Sequence, residues 1–123
     1  MTLVLDAGAL IAIERRERAT IARLVRAHEE AEPVVTSAAV VAQVIRNPAR
    51  QVTLERVLAG VDEKPLDSEA ARRVGHLLAS SRTSDVVDGA LALLASPGDE
   101  VLTSDPKDLR TLLPKRTIRV TFV

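Results

Sequence analysis

The apolar positions of this chain follow two alternating rhythms. Short unbroken runs over residues 2–5 (Thr-Leu-Val-Leu), 33–36 (Pro-Val-Val-Thr) and 100–103 (Glu-Val-Leu-Thr) read as strands, too short for helices and rich in aliphatic and β-branched residues. Residues 117–123 predict a last strand, and residues 61–66 another, expected at a sheet edge because it contains Pro65. Between these runs the spacing turns helical. A first helix follows from about Ala9, and Ile21, Leu24, Val25 and His28 space like the inner face of a second. Ser37 can cap a helix running through Val40, Val41, Val44 and Ile45. Asn47-Pro48 combines a cap with proline at the first helical position, and Gly60 is the stop of that helix. Asp67 caps a helix through Val74, Leu77 and Leu78. Ser84 opens another over residues 85–95, ended by Pro97-Gly98, and residues 106–113 form the last.

Strands that alternate with helices require crossover connections and hence parallel pairing. The expected fold is α/β: one domain over residues 1–123, a small, mostly parallel sheet with helices on both faces. In such sheets a ligand crevice lies beyond the carboxyl ends of the strands. The residues at those ends therefore matter most.

Composition narrows the chemistry. The chain has 123 residues, 46% of them hydrophobic, which excludes general disorder. It has no Cys, so disulfide scaffolds, thiolate zinc sites and Cys nucleophiles are excluded. Two histidines, His28 and His76, are too few for an imidazole-rich metal site; both read as packing or surface residues. The one aromatic residue, Phe122, leaves no stacking platform for single-stranded RNA. With 17 basic and 17 acidic residues, the chain does not coat nucleic acid by bulk charge. The apolar N-terminal stretch is interrupted by Asp6, is too short to span a bilayer and follows no basic residue, so a cytoplasmic location is expected.

Four acids stand where a crevice would open. Asp6 closes the first strand and Asp105 follows the strand over 100–103; Asp85 and Asp88 lie three apart in one first helical turn. Each has a structural explanation. Asp105 before Pro106 suits a helix cap, and Asp85 complements a helix dipole. Asp6 is harder to explain so, since it sits in the most apolar window of the chain and burying it unpaired is expensive. Together these carboxylates repel one another and resist joint ionisation. A hard divalent cation such as Mg²⁺, which takes oxygen ligands and keeps several waters, relieves that penalty.

Four segments in order, Leu3-Val-Leu-Asp6-Ala-Gly-Ala-Leu-Ile-Ala, Thr36-Ser-Ala-Ala-Val-Val-Ala-Gln43-Val-Ile-Arg46, Thr83-Ser-Asp85-Val-Val-Asp88-Gly-Ala-Leu-Ala and Leu102-Thr-Ser-Asp105-Pro-Lys-Asp108-Leu, resemble a PIN domain of the VapC toxin type, over essentially the whole chain. The resemblance implies the toxin of a type II toxin–antitoxin pair: an Mg²⁺- or Mn²⁺-dependent endoribonuclease leaving 5′-phosphate and 3′-hydroxyl ends, often on structured RNA such as transfer RNA. Carried over, the catalytic set is Asp6, position 43, Asp88 and Asp105; the implied metal ligands are Asp6, Asp88 and Asp105, with Asp85 as a possible addition. Asp108 reads more simply as a solvated or capping acid. The departure is Gln43, where the family has Glu: an amide can coordinate or hold a metal-bound water but carries no charge and cannot be a general base. A catalytically weak PIN-fold module that binds antitoxin or RNA is therefore the alternative.

An acidic pocket that receives RNA needs cations around it. Candidates are Arg15 and Arg16 after the first helix, Arg82 before Asp85, Lys107 beside Asp105, and foremost Arg46, which helical i, i+3 spacing would put beside Gln43. Thr103 and Ser104 could bond ligand carboxylates or a phosphate, although strand ends more often use such residues as turn formers. The resemblance further implies a VapB-type antitoxin whose helical tail, with an arginine, covers the site, and a homodimer, for whose face Val40, Val44, Ile45, Val52 and Leu54 are the candidates. A receiver or haloacid-dehalogenase-like phosphatase needs acids that Asp6-Ala7-Gly8 lacks, and no Gly-rich loop follows the first strand for a nucleotide-binding fold.

Overall fold

The structure, a computed structural model, describes residues 1–113 and 118–123. Five strands, β1 (Leu3–Leu5), β2 (Val34–Ser37), β3 (Asp62–Lys64), β4 (Glu100–Thr103) and β5 (Arg119–Phe122), form one sheet in the order β3-β2-β1-β4-β5. Every pairing is parallel, with Leu3 in register with Val34 on one side and Glu100 on the other. β1 to β2 and β2 to β3 step one way; β3 to β4 and β4 to β5 step back. Right-handed crossovers then put the first set of helices on one face and the later set on the other. The first set is α1 (Ala7–Glu14), α2 (Arg18–Glu29), α3 (Ala38–Val44) and α4 (Val52–Leu58), in which α1 packs on α2, α3 and α4. The later set is α5 (Ser68–Ser81), α6 (Val86–Ala92) and α7 (Pro106–Leu112), which pack on one another. The strand order reverses between β1 and β4, so a crevice opens beyond their carboxyl ends.

Leu3, Val4 and Leu5 are fully buried, as a central strand covered on both faces must be. Leu10, Ile13, Leu54, Leu91, Leu102 and Leu109 complete the core between the layers. Ser37, Asp67 and Asp85 each cap the helix they precede through a side-chain oxygen, 3.1, 2.8 and 2.9 Å from its backbone donor.

Some expectations change. The helix expected between Asn47 and Gly60 is a short 3₁₀ turn (Pro48–Arg50) followed by α4. Gln51 divides them: its amide donates to the Val44 carbonyl at 2.9 Å and accepts from Arg46 N–H and Asn47 N–H, closing off the end of α3. The helix expected over 85–95 ends at Ala92, where Asp99 turns the chain by accepting from Ser96 N–H and Thr2 N–H. The sheet is wholly parallel. Thr117 of the expected last strand lies outside the described residues. Val40, Val44 and Leu54, expected on a dimer face, belong to the core of the chain itself and are unavailable to a second subunit. Among the described residues no helix is long and apolar enough to cross a membrane.

Candidate functional site

Asp6 leaves the end of β1 in an extended conformation and becomes the N-cap of α1. Its backbone N–H donates to the Leu102 carbonyl at 3.0 Å, which ties it to β4. One carboxylate oxygen, Oδ1, accepts from Ala7 N–H at 2.7 Å. The other, Oδ2, accepts from the hydroxyl of Thr103 at 2.6 Å, and that hydroxyl oxygen in turn accepts from Asp105 N–H at 2.9 Å. Thr103 is fully buried, so one hydroxyl fixes the ends of both central strands relative to each other. Gly8 is required by the same closure. A Cβ there would meet the side chain of Ser104 and stand 2.7 Å from its backbone nitrogen.

Two helices from the other layer point their N-termini at this place with the same device. Asp85 is the N-cap of α6 with Asp88 in its first turn; Asp105 is the N-cap of α7 with Asp108 in its first turn. α6 and α7 pack together, so the two Asp-x-x-Asp pairs face one field. Asp85 is spent in capping, bonding Asp88 N–H. Asp105 makes no side-chain capping bond, so the capping explanation available from its position before Pro106 does not hold.

The result is a concentration of negative charge. Asp88 is pushed up from 3.8 to about 6, first by loss of solvation and then by the charges of Asp85, Asp6, Asp108 and Asp105. Asp105 is held above the ordinary carboxylate range, foremost by the charge of Asp108, then by desolvation, a hydrogen bond with the Asp108 carboxyl, and the charges of Asp6 and Asp85. Among the described residues no ion pair reaches any of these five acids. Nor is any group of three carboxylates or imidazoles there already closed around one ion-sized point. The donor set nonetheless fits a hard divalent cation. It is all oxygen, it is destabilised by its own charge, and Mg²⁺ needs only one or two direct carboxylates beside its waters.

Asp108, which reads from sequence as a solvated or capping acid, is exposed in the first turn of α7 and adds its charge to the field on Asp88 and Asp105. A repeat in the sequence marks both pairs: Asp-x-x-Asp occurs at 85–88 and again at 105–108, each time at a helix start. Gln43 lies exposed near the end of α3, a helix wedged against both α1 and α6. Arg46 is not beside it on a helical face. α3 ends at Val44 with Ile45 extended, and the Arg46 guanidinium folds back onto the Ala42 and Ile45 carbonyls, 2.8 Å from each. Arg15 is the C-cap of α1, about 13 Å of helix away from Asp6. Arg16 bonds the Thr53 hydroxyl, pinning the α1–α2 turn to α4. Arg82, in a left-handed conformation at the end of α5 three residues before Asp85, and Lys107, between Asp105 and Asp108 in the first turn of α7, are exposed. His28 and His76 are exposed on α2 and α5.

No family model matches the chain, and no curated protein matches it by sequence. Solved structures do match by shape. A chain from the crystal structure of VapBC2 of Rickettsia felis bound to a DNA fragment from its promoter superposes with a TM-score of 0.72 at 12% identity, covering 100% of this chain and 99% of that one. A chain from DNA-bound VapBC of Salmonella typhimurium gives 0.69 at 15% identity, covering 99% and 98%. At such identities the likeness is one of fold, and the fold of this chain is the PIN-domain fold of those VapBC neighbours.

Proposed function

We propose that this chain is a metal-dependent endoribonuclease of the VapC toxin type, held inactive by a VapB-like antitoxin. The observation that carries the reading is the five-acid field at the switch point of the sheet, which raises Asp88 to about 6 with no cation paired to it among the described residues. A purely structural cluster gains nothing from such repulsion; a site that takes up a divalent cation and an anionic backbone does. The full-length match to chains from VapBC complexes supports the same reading.

In this reading Asp6, Asp88 and Asp105 hold Mg²⁺ or Mn²⁺, with Asp85 and Asp108 completing the field. The ion, when bound, supplies Lewis acidity toward a phosphodiester and an acidified water. Thr103 keeps the Asp6 carboxylate oriented through its hydroxyl donation and holds the turn to Asp105 in place. Gln43 offers an amide to the water shell without adding charge. Arg82 and Lys107 attract the substrate backbone toward a pocket that would otherwise repel it.

The test is direct. Purified, antitoxin-free chain is incubated with RNA and Mn²⁺; cleavage that vanishes with Asp6→Ala and with chelator supports the nuclease. Gln43 favours a second reading, a PIN-fold module that binds antitoxin or RNA without turnover. Metal binding by calorimetry without cleavage of any RNA class selects it.

A further inference from the structure

A cavity of about 290 Å³ opens between α5, the end of α6 and the segment that follows β3. Its floor is apolar, from Val74, Ala90, Leu93 and Leu94, and Leu66, 36% exposed, forms a lip. Polar groups converge on it. Ser37, the last residue of β2, is 2% exposed; its hydroxyl accepts from Ala39 N–H at 3.1 Å and donates to nothing among the described residues. Glu69 and Arg73 stand four apart on one face of α5, in the order that favours an ion pair, yet neither is in one among the described residues. A carboxylate and a guanidinium are thus side by side, without side-chain partners, at the wall of an apolar slot. The acids are near. Thr36 donates its hydroxyl to the Leu5 carbonyl at 2.7 Å, and the register of β1 with β2, carried on two residues, sets Ser37 level with Asp6, one strand spacing of about 5 Å away. α6 separates the two places: Ala90 and Leu94 face the cavity from the side of the helix opposite Asp88.

We propose that this cavity receives a guanine base of the RNA, unstacked from its strand beside the phosphate that reaches the acids. The RNA is that of the nuclease reading above, on which this inference rests. Single-stranded RNA is ordinarily read by stacking its bases on aromatic rings. This chain has one aromatic residue, Phe122, on β5 at the opposite edge of the sheet from β3. An apolar slot with room for about one base covers the faces of that base instead. The polar groups select guanine. Its N1–H and N2–H₂ are adjacent donors that one carboxylate accepts together, as Glu69 can. Its O6 and N7 are adjacent acceptors that one guanidinium bonds together, as Arg73 can. Adenine presents an amine to the guanidinium and a lone pair to the carboxylate, so both contacts fail. The pyrimidines lack N7. A strand that crosses the carboxyl ends of β1 and β2 passes Asp6 and then Ser37, which brings a phosphate to the acids and the next base to the slot.

Fluorescence anisotropy in the Asp6→Ala background compares a short uridine strand with the same strand carrying one central guanosine. The guanosine is expected to tighten binding about tenfold, the discrimination one bidentate pair supplies. Inosine in its place, which lacks the N2 amine, is expected to lose most of that gain. The gain is expected to vanish with Arg73→Ala and with Ala70→Leu, which fills the cavity from α5. It is expected to survive Arg72→Ala, which removes the same charge from the neighbouring exposed position. Arg73 is exposed, so its variant reports even if Ala70→Leu misfolds. Guanosine 5′-monophosphate is expected to compete only at about millimolar concentration, since it brings no strand. Competition at micromolar concentration assigns the cavity to a free nucleotide and overturns the proposal. So does equal affinity for the two strands, or a guanosine gain unchanged by Arg73→Ala and Ala70→Leu. Failure of the nuclease reading shows itself separately, as absent Mn²⁺-dependent cleavage by the parent chain, and leaves the strand comparison intact.

Discussion

The two ends of one sheet treat buried acids in opposite ways. At the amino end, Glu100 is 4% exposed, yet one oxygen accepts from Arg23 Nε at 2.9 Å and the other from the Thr121 hydroxyl at 2.6 Å. Arg23 also reaches Glu32 at 3.1 Å. Burial works against the guanidinium charge there, but the bonds to Glu32 and Glu100 outweigh it and raise its pKa; the Arg23 bond in turn holds Glu32 below the ordinary range. At the carboxyl end, Asp6 is 6% exposed and four further aspartates gather around it with no paired cation among the described residues. The first arrangement sets one guanidinium between two carboxylates and ties α2 to β4 and to Glu32 ahead of β2, although Arg23 Nη1 and Glu32 Oε1 are left without a hydrogen-bond partner among the described residues. The second is destabilised by its own charge, as a site awaiting a ligand is.

The largest test breaks the amino end. Arg23→Ala strands Glu100 without its cation and should cost about 3–5 kcal/mol, a drop of roughly 10–20 °C in Tm by thermal unfolding. Removing a charge at the carboxyl end should do the reverse. A rise from 3.8 to about 6 at Asp88 corresponds to about 3 kcal/mol at most, which partial access to solvent reduces to about 1–2. Asp88→Asn should therefore stabilise the metal-free chain by about 1–2 kcal/mol while abolishing RNA cleavage. An asparagine variant less stable than the parent at neutral pH would remove the contrast between the two ends.

The same contrast has a pH signature. The folded state holds the Asp88 proton more tightly than the unfolded chain does, so its contribution is fully present below pH 3.8 and is lost as pH rises through about 6. Glu32, lowered by Arg23, contributes in the other direction: its stabilisation is present above its ordinary pKa of 4.5 and lost as pH falls below it. Denaturant titrations should show the first loss shrink in Asp88→Asn and, for the parent, in millimolar Mn²⁺; the second should be indifferent to metal. A metal-insensitive loss between pH 4 and 6 would separate Asp88 from any cation site.

The difference between the ends also explains what was legible in the sequence. Asp6 stands out because an acid inside Leu-Val-Leu and Ala-Gly-Ala-Leu-Ile needs a local explanation, and Ser37 and Asp67 announce their helices through caps; the cap of α6 is Asp85, one residue after the Ser84 expected to open it. The strand over 100–103 has the expected bounds for a similar reason: its pattern is contiguous. Arg23–Glu100 was invisible, since it joins residues 77 apart and neither is unusual in its own neighbourhood. Gln51 broke an expected helix because a side chain competed for the carbonyl of Val44, a tertiary choice that capping rules do not see. Helical i, i+3 spacing places Arg46 beside Gln43 only if α3 continues past Val44, and it ends there with Ile45 extended.

The smallest expected effects discriminate among the cations. Lys107 and Arg82 are exposed, so Lys107→Gln and Arg82→Gln should each shift stability by less than about 0.5 kcal/mol. If they meet the RNA backbone, each loss should flatten the slope of log K against log salt by about 0.7, the value for one single-strand phosphate contact. Arg46→Gln should do neither in that proportion. Its guanidinium is committed to the end of α3, so the substitution should lower Tm slightly and leave the slope near its parent value. Fluorescence anisotropy of an uncleaved RNA with Asp6→Ala as the background reads all three without turnover. A slope that falls with Arg46 and not with Lys107 or Arg82 would move the RNA path from the helix starts around Asp88 and Asp105 to the opposite side of α3.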